Sequence, residues 1–236
     1  MRCLFPRRAP GRLDAMLMNT AGGLTGGDAF SLTAEALPGS HLSLTTQTAE
    51  RIYSALPGMR ADVRSGLKIG EDARLDWMPQ ETILFDSAVL ERRMTVSVAP
   101  SGRFLFVEPL LFGRTARTEE LRAASLTDRF AIDRDGVPLW RDGIDLAGDI
   151  SAHLDRAAVA RGARALATVL LLSPDAESHL APIRRLLPET AGASLPRPDL
   201  LVLRLLAPDG FELRRVLLPV LDRLTGGDLP KTWRPQ

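Results

Sequence analysis

The first part of the chain consists of short stretches in which apolar and polar residues alternate, a pattern typical of β-strands. In residues 41–45 and 94–98 the apolar side chains fall on alternate positions, so one face of each strand can be buried. Turn signals separate these stretches, and Asp135-Gly136 lies where a hairpin is expected. From residue 30 to about residue 150 the pattern predicts many short strands, as in a sandwich, a barrel or a β-helical stack.

After about residue 155 the pattern becomes mixed. A continuous apolar run at residues 167–172 predicts a buried strand, and residues 199–206 predict another. Residues 216–224 predict a helix. The spacing in residues 175–187 predicts an earlier helix with an apolar face made of Leu180, Ile183, Leu186 and Leu187.

Two segments rich in glycine are predicted to lie outside regular structure. Residues 192–198 combine Gly, Ser and Pro and predict an exposed loop. Residues 19–28 end on Asp28 and contain the pairs Gly22-Gly23 and Gly26-Gly27. Phosphate-binding loops need other spacings, and the strand-like residues that follow do not fit a P-loop. The run therefore predicts a tightly specified turn between strands.

Composition and charge exclude several classes of protein. The chain has 236 residues, of which 45% are hydrophobic, as in an ordinary globular protein. Its formal net charge of +1 argues against nucleic acid or an anionic membrane surface as a partner. No stretch approaches the ~20 apolar residues that span a bilayer, and the first residues lack the apolar core of a signal peptide. Cys3, the single cysteine, fits a reducing compartment, so the cytoplasm is the expected location.

The sequence contains no recognisable catalytic motif. His41, His153 and His179 have none of the spacings of zinc enzymes, and no Gly-x-Ser-x-Gly elbow is present. A β-rich hydrolase or carbohydrate-binding domain stays open as an alternative, because distant carboxylates can meet in a cleft. A stable metal-binding protein that uses the three histidines stays open too.

Four carboxylates interrupt strand-like or apolar segments: Glu50, Glu81, Asp86 and Glu108. Buried carboxylates need partners, so one interpretation is structural, with capped turns and buried polar networks. The other interpretation is an internal polar path for a cation. Carboxylates without imidazole or thiolate neighbours hold divalent ions loosely, which suits passage better than storage.

Several motifs occur in a fixed order along the chain. They are Asn-Thr-Ala-Gly-Gly-Leu-Thr-Gly-Gly-Asp at 19–28, Thr-Thr-Gln-Thr-Ala-Glu-Arg-Ile-Tyr at 45–53, Trp-Met-Pro-Gln-Glu-Thr-Ile-Leu-Phe-Asp at 77–86, Leu-Phe-Gly-Arg at 111–114 and Leu-Pro-Lys-Thr-Trp at 229–233. Together they resemble the UreD (also called UreH) family of urease accessory proteins. The resemblance covers almost the whole chain and is far more specific than the glycine run alone.

The resemblance implies a mainly β fold. The expected architecture is a right-handed superhelical, β-helix-like stack of short strands with a mixed α/β C-terminal part. We expect a single domain over residues 1–236, β-rich over 1–155 and mixed over 156–236. Family members usually carry a longer segment before Leu4-Phe5-Pro6, so either the start codon is assigned too late or the usual first strands are missing here. Residues 115–119 also depart from the family pattern.

The resemblance also implies a role that is not catalytic. Proteins of this family act as a scaffold that binds the urease apoprotein and links it to the accessory F protein and, through F, to the nickel-carrying GTPase G. The assembly delivers nickel together with carbon dioxide for lysine carbamylation. The expected cofactor content is therefore nickel in transit with nothing tightly bound. No nucleic acid or membrane partner is expected.

An internal route for nickel has been proposed for the family, and charged residues of the matching motifs, or close to them, are the candidates to form it. The sequence gives Asp28, Glu50, Glu108 and Asp142 as candidates, with Arg51 as a charge partner. They are selected because they are ionisable groups in apolar or tightly turned segments. No catalytic residue and no firm metal ligand is identified.

Overall fold

The computed structural model describes residues 1–7, 11–114 and 119–234, so most of the departing segment at 115–119 lies outside the described residues. Strands dominate, and the alternation in the sequence accounts for most of them. In chain order they are β1 (Arg2–Leu4), β2 (Leu13–Met18), β3 (Ala29–Ala36), β4 (His41–Thr46), β5 (Glu50–Ile52), β6 (Ala61–Ile69), β7 (Arg74–Met78), β8 (Thr82–Leu84), β9 (Val89–Val98), β10 (Arg103–Phe112), β11 (Ala124–Arg134), β12 (Val137–Gly148), β13 (Ala165–Leu172), β14 (Ala191–Arg197) and β15 (Leu200–Ala207).

The strands stack in parallel as a β-solenoid of about 4 turns, which confirms the stack expected from the resemblance. One sheet contains the parallel neighbours β2, β4, β7 and β10, and the facing sheet contains β3, β6, β9 and β11. Each turn therefore contributes one strand to each sheet. The short strands β5 and β8 pair in parallel and belong to the first sheet, in which β8 also pairs in parallel with the last residues of β10.

Antiparallel strands extend both sheets at the last turn. β12 pairs with β11 through the Asp135-Gly136 hairpin, where both residues have positive φ as a tight hairpin turn requires. β13, β15 and β14 follow one another beside β10 in the first sheet. The helices are α1 (Ile150–Asp155), α2 (Ala176–Arg184), α3 (Gly210–Thr225) and a 3₁₀ helix (Lys231–Trp233). The C-terminal part is thus mixed α/β, as expected.

Apolar side chains of the described residues form three clusters, and two of them lie between the facing sheets. One interior cluster contains Phe104, Phe106 and Phe130, and the other contains Leu90, Leu110 and Leu126. The third cluster lies on the opposite side of the first sheet, where β13 and β15 pack against α3. β13 and β15 are therefore buried on both faces, which explains why their sequences are continuous apolar runs.

The structure differs from three predictions for the C-terminal part. Residues 192–198 were predicted to be an exposed loop, but most of them form strand β14, because pairing with β15 outweighs their weak strand propensity. The predicted helix at 175–187 ends at Arg184, and Leu186 is 42% exposed and not part of a buried face. The helix predicted at 216–224 is α3, and it begins earlier, at Gly210. The Asp209 carboxylate caps this end of α3 by accepting a hydrogen bond from the Glu212 amide.

The C-terminal segment is fastened to the solenoid by Trp233 and Arg214. The Trp233 indole is fully buried, and its Nε1 donates to the Met78 carbonyl at 2.8 Å. The Arg214 guanidinium lies 4.8 Å from the centre of the Trp233 ring and donates to Gln80 and Glu81, both at 3.0 Å. Residues between β7 and β8 are thereby tied to the chain's end. Within the described residues, no helix is both long and apolar enough to cross a bilayer.

The burial of Trp233 leads to a stability prediction. Replacing Trp233 with alanine removes a fully buried ring and its hydrogen bond, so we expect the free energy of unfolding to fall by about 3–5 kcal/mol. Urea-induced unfolding measures this change. Phe211→Ala is the matched control, since this ring is 75% exposed and its loss is expected to change stability by about 0.5 kcal/mol or less. Equal stability of the two variants would contradict the assigned anchor.

Candidate functional site

A cavity of about 140 Å³ lies between the sheets in the first turns of the solenoid. Most of its lining is apolar, but four charged residues contribute to it: Glu50, Arg51, Arg92 and Glu108. Residues that line the cavity and are also exposed include Gly22 and Arg51, so the cavity reaches the surface beside the glycine run. The interior is therefore accessible from one side of the solenoid.

A second, smaller cavity of about 20 Å³ lies toward the last turn. Its polar lining consists of Glu108, Asp128, Asp142, Thr168 and Arg204. Glu108 lines both cavities and so lies between them. The Arg204 side chain is 44% exposed, so the smaller cavity lies close to the opposite surface.

Both cavities meet at a layer of polar side chains that separates the two interior apolar clusters. We call it the polar layer; its members are Arg92 on β9, Glu108 on β10, Asp128 on β11, Thr168 on β13 and Arg204 on β15. Strand register explains the layer, because Arg92 pairs with Asp128, and Thr168 pairs with both Glu108 and Arg204. Side chains at paired positions point to the same side of a sheet, here the interior.

Arg92 is the ion-pair partner of both buried carboxylates in the layer. Its Nη2 lies 3.0 Å from Glu108 Oε1 and 2.5 Å from Asp128 Oδ2. Its Nη1 donates to Thr82 Oγ1 at 3.2 Å. All three charged side chains are nearly buried, so one guanidinium joins carboxylates of the two facing sheets.

The environment of Glu108 disfavours its charged form. Burial raises the pKa of Glu108 to about 8; the charge of Arg92 opposes this shift, whereas those of Asp128 and Asp142 add to it. With one arginine for two close carboxylates, a proton held by Glu108 lowers the electrostatic repulsion. A cation bound beside these oxygens would replace that proton.

Glu50 lies at the other end of the larger cavity, near the surface. Its Oε1 accepts a hydrogen bond from Asn19 Nδ2 at 2.8 Å. Burial raises the pKa of Glu50, and the Asn19 hydrogen bond and the charge of Arg51 reduce that shift. Arg51 lines the same cavity and is exposed, so these two sequence candidates are brought together with Glu108 in one cavity.

Asp142 lies in the smaller cavity, on the edge strand β12. Its carboxylate pairs with the Arg204 guanidinium and accepts a hydrogen bond from the Gly143 amide at 2.8 Å. The structure thus distributes three candidate carboxylates along the interior in the order Glu50, Glu108 and Asp142. Each is within reach of an arginine.

Asp28 lies apart from the other candidates, in the glycine turn between β2 and β3. Its Oδ2 accepts a hydrogen bond from the Thr25 amide at 2.8 Å, and it lines neither cavity. A part of Asp28 in a cation path stays a prediction from the sequence.

The glycine run forms a turn that packs against the next turn of the solenoid. Leu24 bridges to Ile52 in parallel, so the run adds a rung beside β5. A Cβ on Gly23 would lie 2.6 Å from the Arg51 carbonyl oxygen, and Gly27 has a φ of +96°. Close approach and left-handed backbone therefore explain this use of glycine. The predicted structural turn is confirmed.

Two of the sequence candidates have structural partners outside the cavities. Glu81 pairs with Arg214 at 3.0 Å, and Asp86 accepts hydrogen bonds from the amides of Arg122 and Ala123. The structural interpretation therefore accounts for both.

Sequence reasoning missed Arg92, Asp128 and Arg204. A signal for them is present: Arg92 precedes Met94 by two positions, and Asp128 precedes Phe130 by two. A charged residue on the apolar face of an alternating strand must point into the core. Their mutual proximity depends on strand register, which the sequence alone does not give.

Carboxylates line both cavities, but the described residues contain no preformed metal centre. Across the described ranges no three His, Cys, Asp or Glu side chains converge as a metal-binding group. His41 pairs with the buried Asp76 at 2.8 Å, and His179 lies on α2 beside Asp175. Chemically, the two cavities offer hard oxygen ligands one or two at a time, which suits weak contacts with a divalent cation.

Comparison with known proteins gives one consistent result. The family model for the UreD urease accessory protein matches residues 1–234. A protein of Ruegeria pomeroyi named urease accessory protein UreD is 47% identical over 98% of this chain and 90% of its own length. A protein of Roseobacter denitrificans with the same name is 45% identical over 99% of this chain and 85% of its own length. One from a Methylobacterium species is 41% identical over 99% of this chain and 85% of the relative.

The raised pKa of Glu108 leads to a prediction about pH. With this pKa the folded chain keeps a proton on Glu108 over a range in which the unfolded chain has lost it, so the contribution of Glu108 to wild-type stability falls as the pH rises from about 5 to about 8. Glutamine does not titrate, so Glu108→Gln removes this fall in stability with pH. The free energy of unfolding of Glu108→Gln minus that of the wild type should therefore increase with pH over this range.

Urea-induced unfolding at both ends of the pH range measures the difference. Glu120→Gln is the control, because it removes a carboxylate that is 54% exposed. A difference between Glu108→Gln and the wild type that stays constant or falls with pH would contradict the protonated Glu108.

Proposed function

The chain belongs to the UreD family of urease accessory proteins and has a role in urease maturation; from this premise we propose that it is a non-catalytic scaffold with a nickel path through its solenoid. The observation that carries the proposal is the series of carboxylates that lines the two interior cavities. Nickel is then a cargo that passes through and is not a resident cofactor.

The proposed path begins beside Gly22 and Arg51, where the larger cavity reaches the surface. A divalent cation would first meet Glu50, then Glu108 in the polar layer, and then Asp142 near the opposite surface. Carboxylate oxygens are acceptable ligands for nickel, but one or two of them give weak binding. Weak binding supports this proposal, because a path has to release the ion at its end.

The proposed partners are the urease apoprotein, the accessory F protein and, through F, the nickel GTPase G. The names of the relatives support the first link, since each is called a urease accessory protein. The links to F and G rest on the family resemblance. Cys3 as the single cysteine supports a cytoplasmic location for this assembly.

The path is tested by neutralising its inner carboxylates without changing their shape. We expect the double variant Glu108→Gln, Asp142→Asn to lower urease activation by about tenfold or more, as loss of metal-contacting groups does elsewhere. The measurement is urea hydrolysis by cells that carry a urease operon lacking its own D gene and are grown with nickel. The wild-type chain should restore activity in these cells.

Two controls separate the path from the scaffold. Asp145→Asn changes a carboxylate on the same strand β12 that is 65% exposed and pairs with Arg129 at the surface, so activation should stay at the wild-type level. Co-purification of the urease apoprotein should succeed with every variant. Full activation by the double variant would reject the path and leave the scaffold, whereas no rescue by the wild-type chain would reject both.

A further inference from the structure

We propose that the Arg92 guanidinium is a tethered cation that keeps divalent metal from settling in the polar layer. This inference rests on the proposed path and names the residue that regulates it. Arg92 would then be a positioning residue that opposes metal retention and is not itself a metal ligand.

The position of Arg92 supports this role. Arg92 lines the larger cavity, Asp128 lines the smaller one, and Glu108 lines both. The Nη2 atom, 3.0 Å from Glu108 and 2.5 Å from Asp128, therefore lies at the boundary between the cavities. A metal ion that passes from one cavity to the other has to compete for the same oxygens.

Strand register fixes the guanidinium in this place. Arg92 and Asp128 are paired residues of the adjacent parallel strands β9 and β11, so their separation is set by the backbone. The contact of Nη1 with Thr82 holds the other arm of the guanidinium. An arginine stays charged at any physiological pH, and its planar fork loses little entropy on binding carboxylates.

The charges of Glu108, Asp128 and Arg92 explain why a tethered cation helps to release the metal ion. Once Glu108 loses its proton, the two nearly buried carboxylates with no guanidinium beside them would hold a divalent ion more tightly than a path requires, and release of the ion would slow. The resident guanidinium occupies their oxygens and neutralises one of the two charges. Asp142 is held in the same way by Arg204, so the arrangement recurs at the end of the path.

The test is nickel binding by the full chain after the guanidinium is removed. Arg92→Met keeps an unbranched apolar side chain but removes the guanidinium and so frees both carboxylates. We expect its affinity for Ni²⁺ to rise by about tenfold or more, the effect of removing one charged competitor. Equilibrium dialysis against nickel chloride gives the affinity. Circular dichroism checks that the variant is folded.

The matched control is Arg93→Met, which removes the same charge from the next position of β9, where the side chain is exposed. Its nickel affinity should equal that of the wild type. If Arg92→Met does not fold, Arg92→Lys tests the inference instead. Lysine keeps the positive charge but lacks the planar fork, so the Arg92→Lys chain should bind nickel more tightly than the wild type. A folded Arg92 variant with the affinity of Arg93→Met would overturn the inference.

Failure of this inference differs from failure of the path. If the Arg92 variants bind nickel like Arg93→Met while Glu108→Gln, Asp142→Asn blocks activation, the path stands without a tethered cation. If the Arg92 variants bind nickel tightly while the double variant activates urease fully, the arginine competes with metal but the path is not used.

Discussion

Parallel strands that stack in register impose the constraint on which the rest of the structure depends. Each inward position of one turn lies beside the same position of the next, so a charged residue inside one turn has to find its partner on a neighbouring strand. Arg92 and Asp128 satisfy this requirement directly, and Glu108 completes it from the facing sheet. The polar layer is thus a consequence of register.

The same constraint separates the interior into regions of different character. The apolar cluster around Phe104, Phe106 and Phe130 fills the space on one side of the polar layer, and the cluster that contains Leu90, Leu110 and Leu126 fills it on the other. Apolar clusters of this kind supply the stability that offsets the cost of burying charge. The C-terminal part adds a third cluster, and Trp233 with Arg214 ties it to residues between β7 and β8 that line the larger cavity.

Local patterns were sufficient to predict the strands, the hairpin at Asp135-Gly136 and the turn formed by the glycine run. They failed where pairing overrides propensity, as in β14, whose Gly, Ser and Pro content indicated a loop. Glu108 was selected from its apolar neighbours, but its partner Arg92 was not. The proximity of Asp142 and Arg204 was inaccessible for a physical reason: they are 62 residues apart and belong to different sheets.

The location of nickel inside the chain tests the central claim most directly. Crystals of the wild-type chain and of Arg92→Met, soaked in nickel chloride and measured at the nickel absorption edge, give the ion's position by anomalous scattering. The account predicts a peak beside Glu108 in the polar layer, stronger in Arg92→Met than in the wild type. Peaks confined to the surface, for example beside His153 or His179, would contradict a path through the interior.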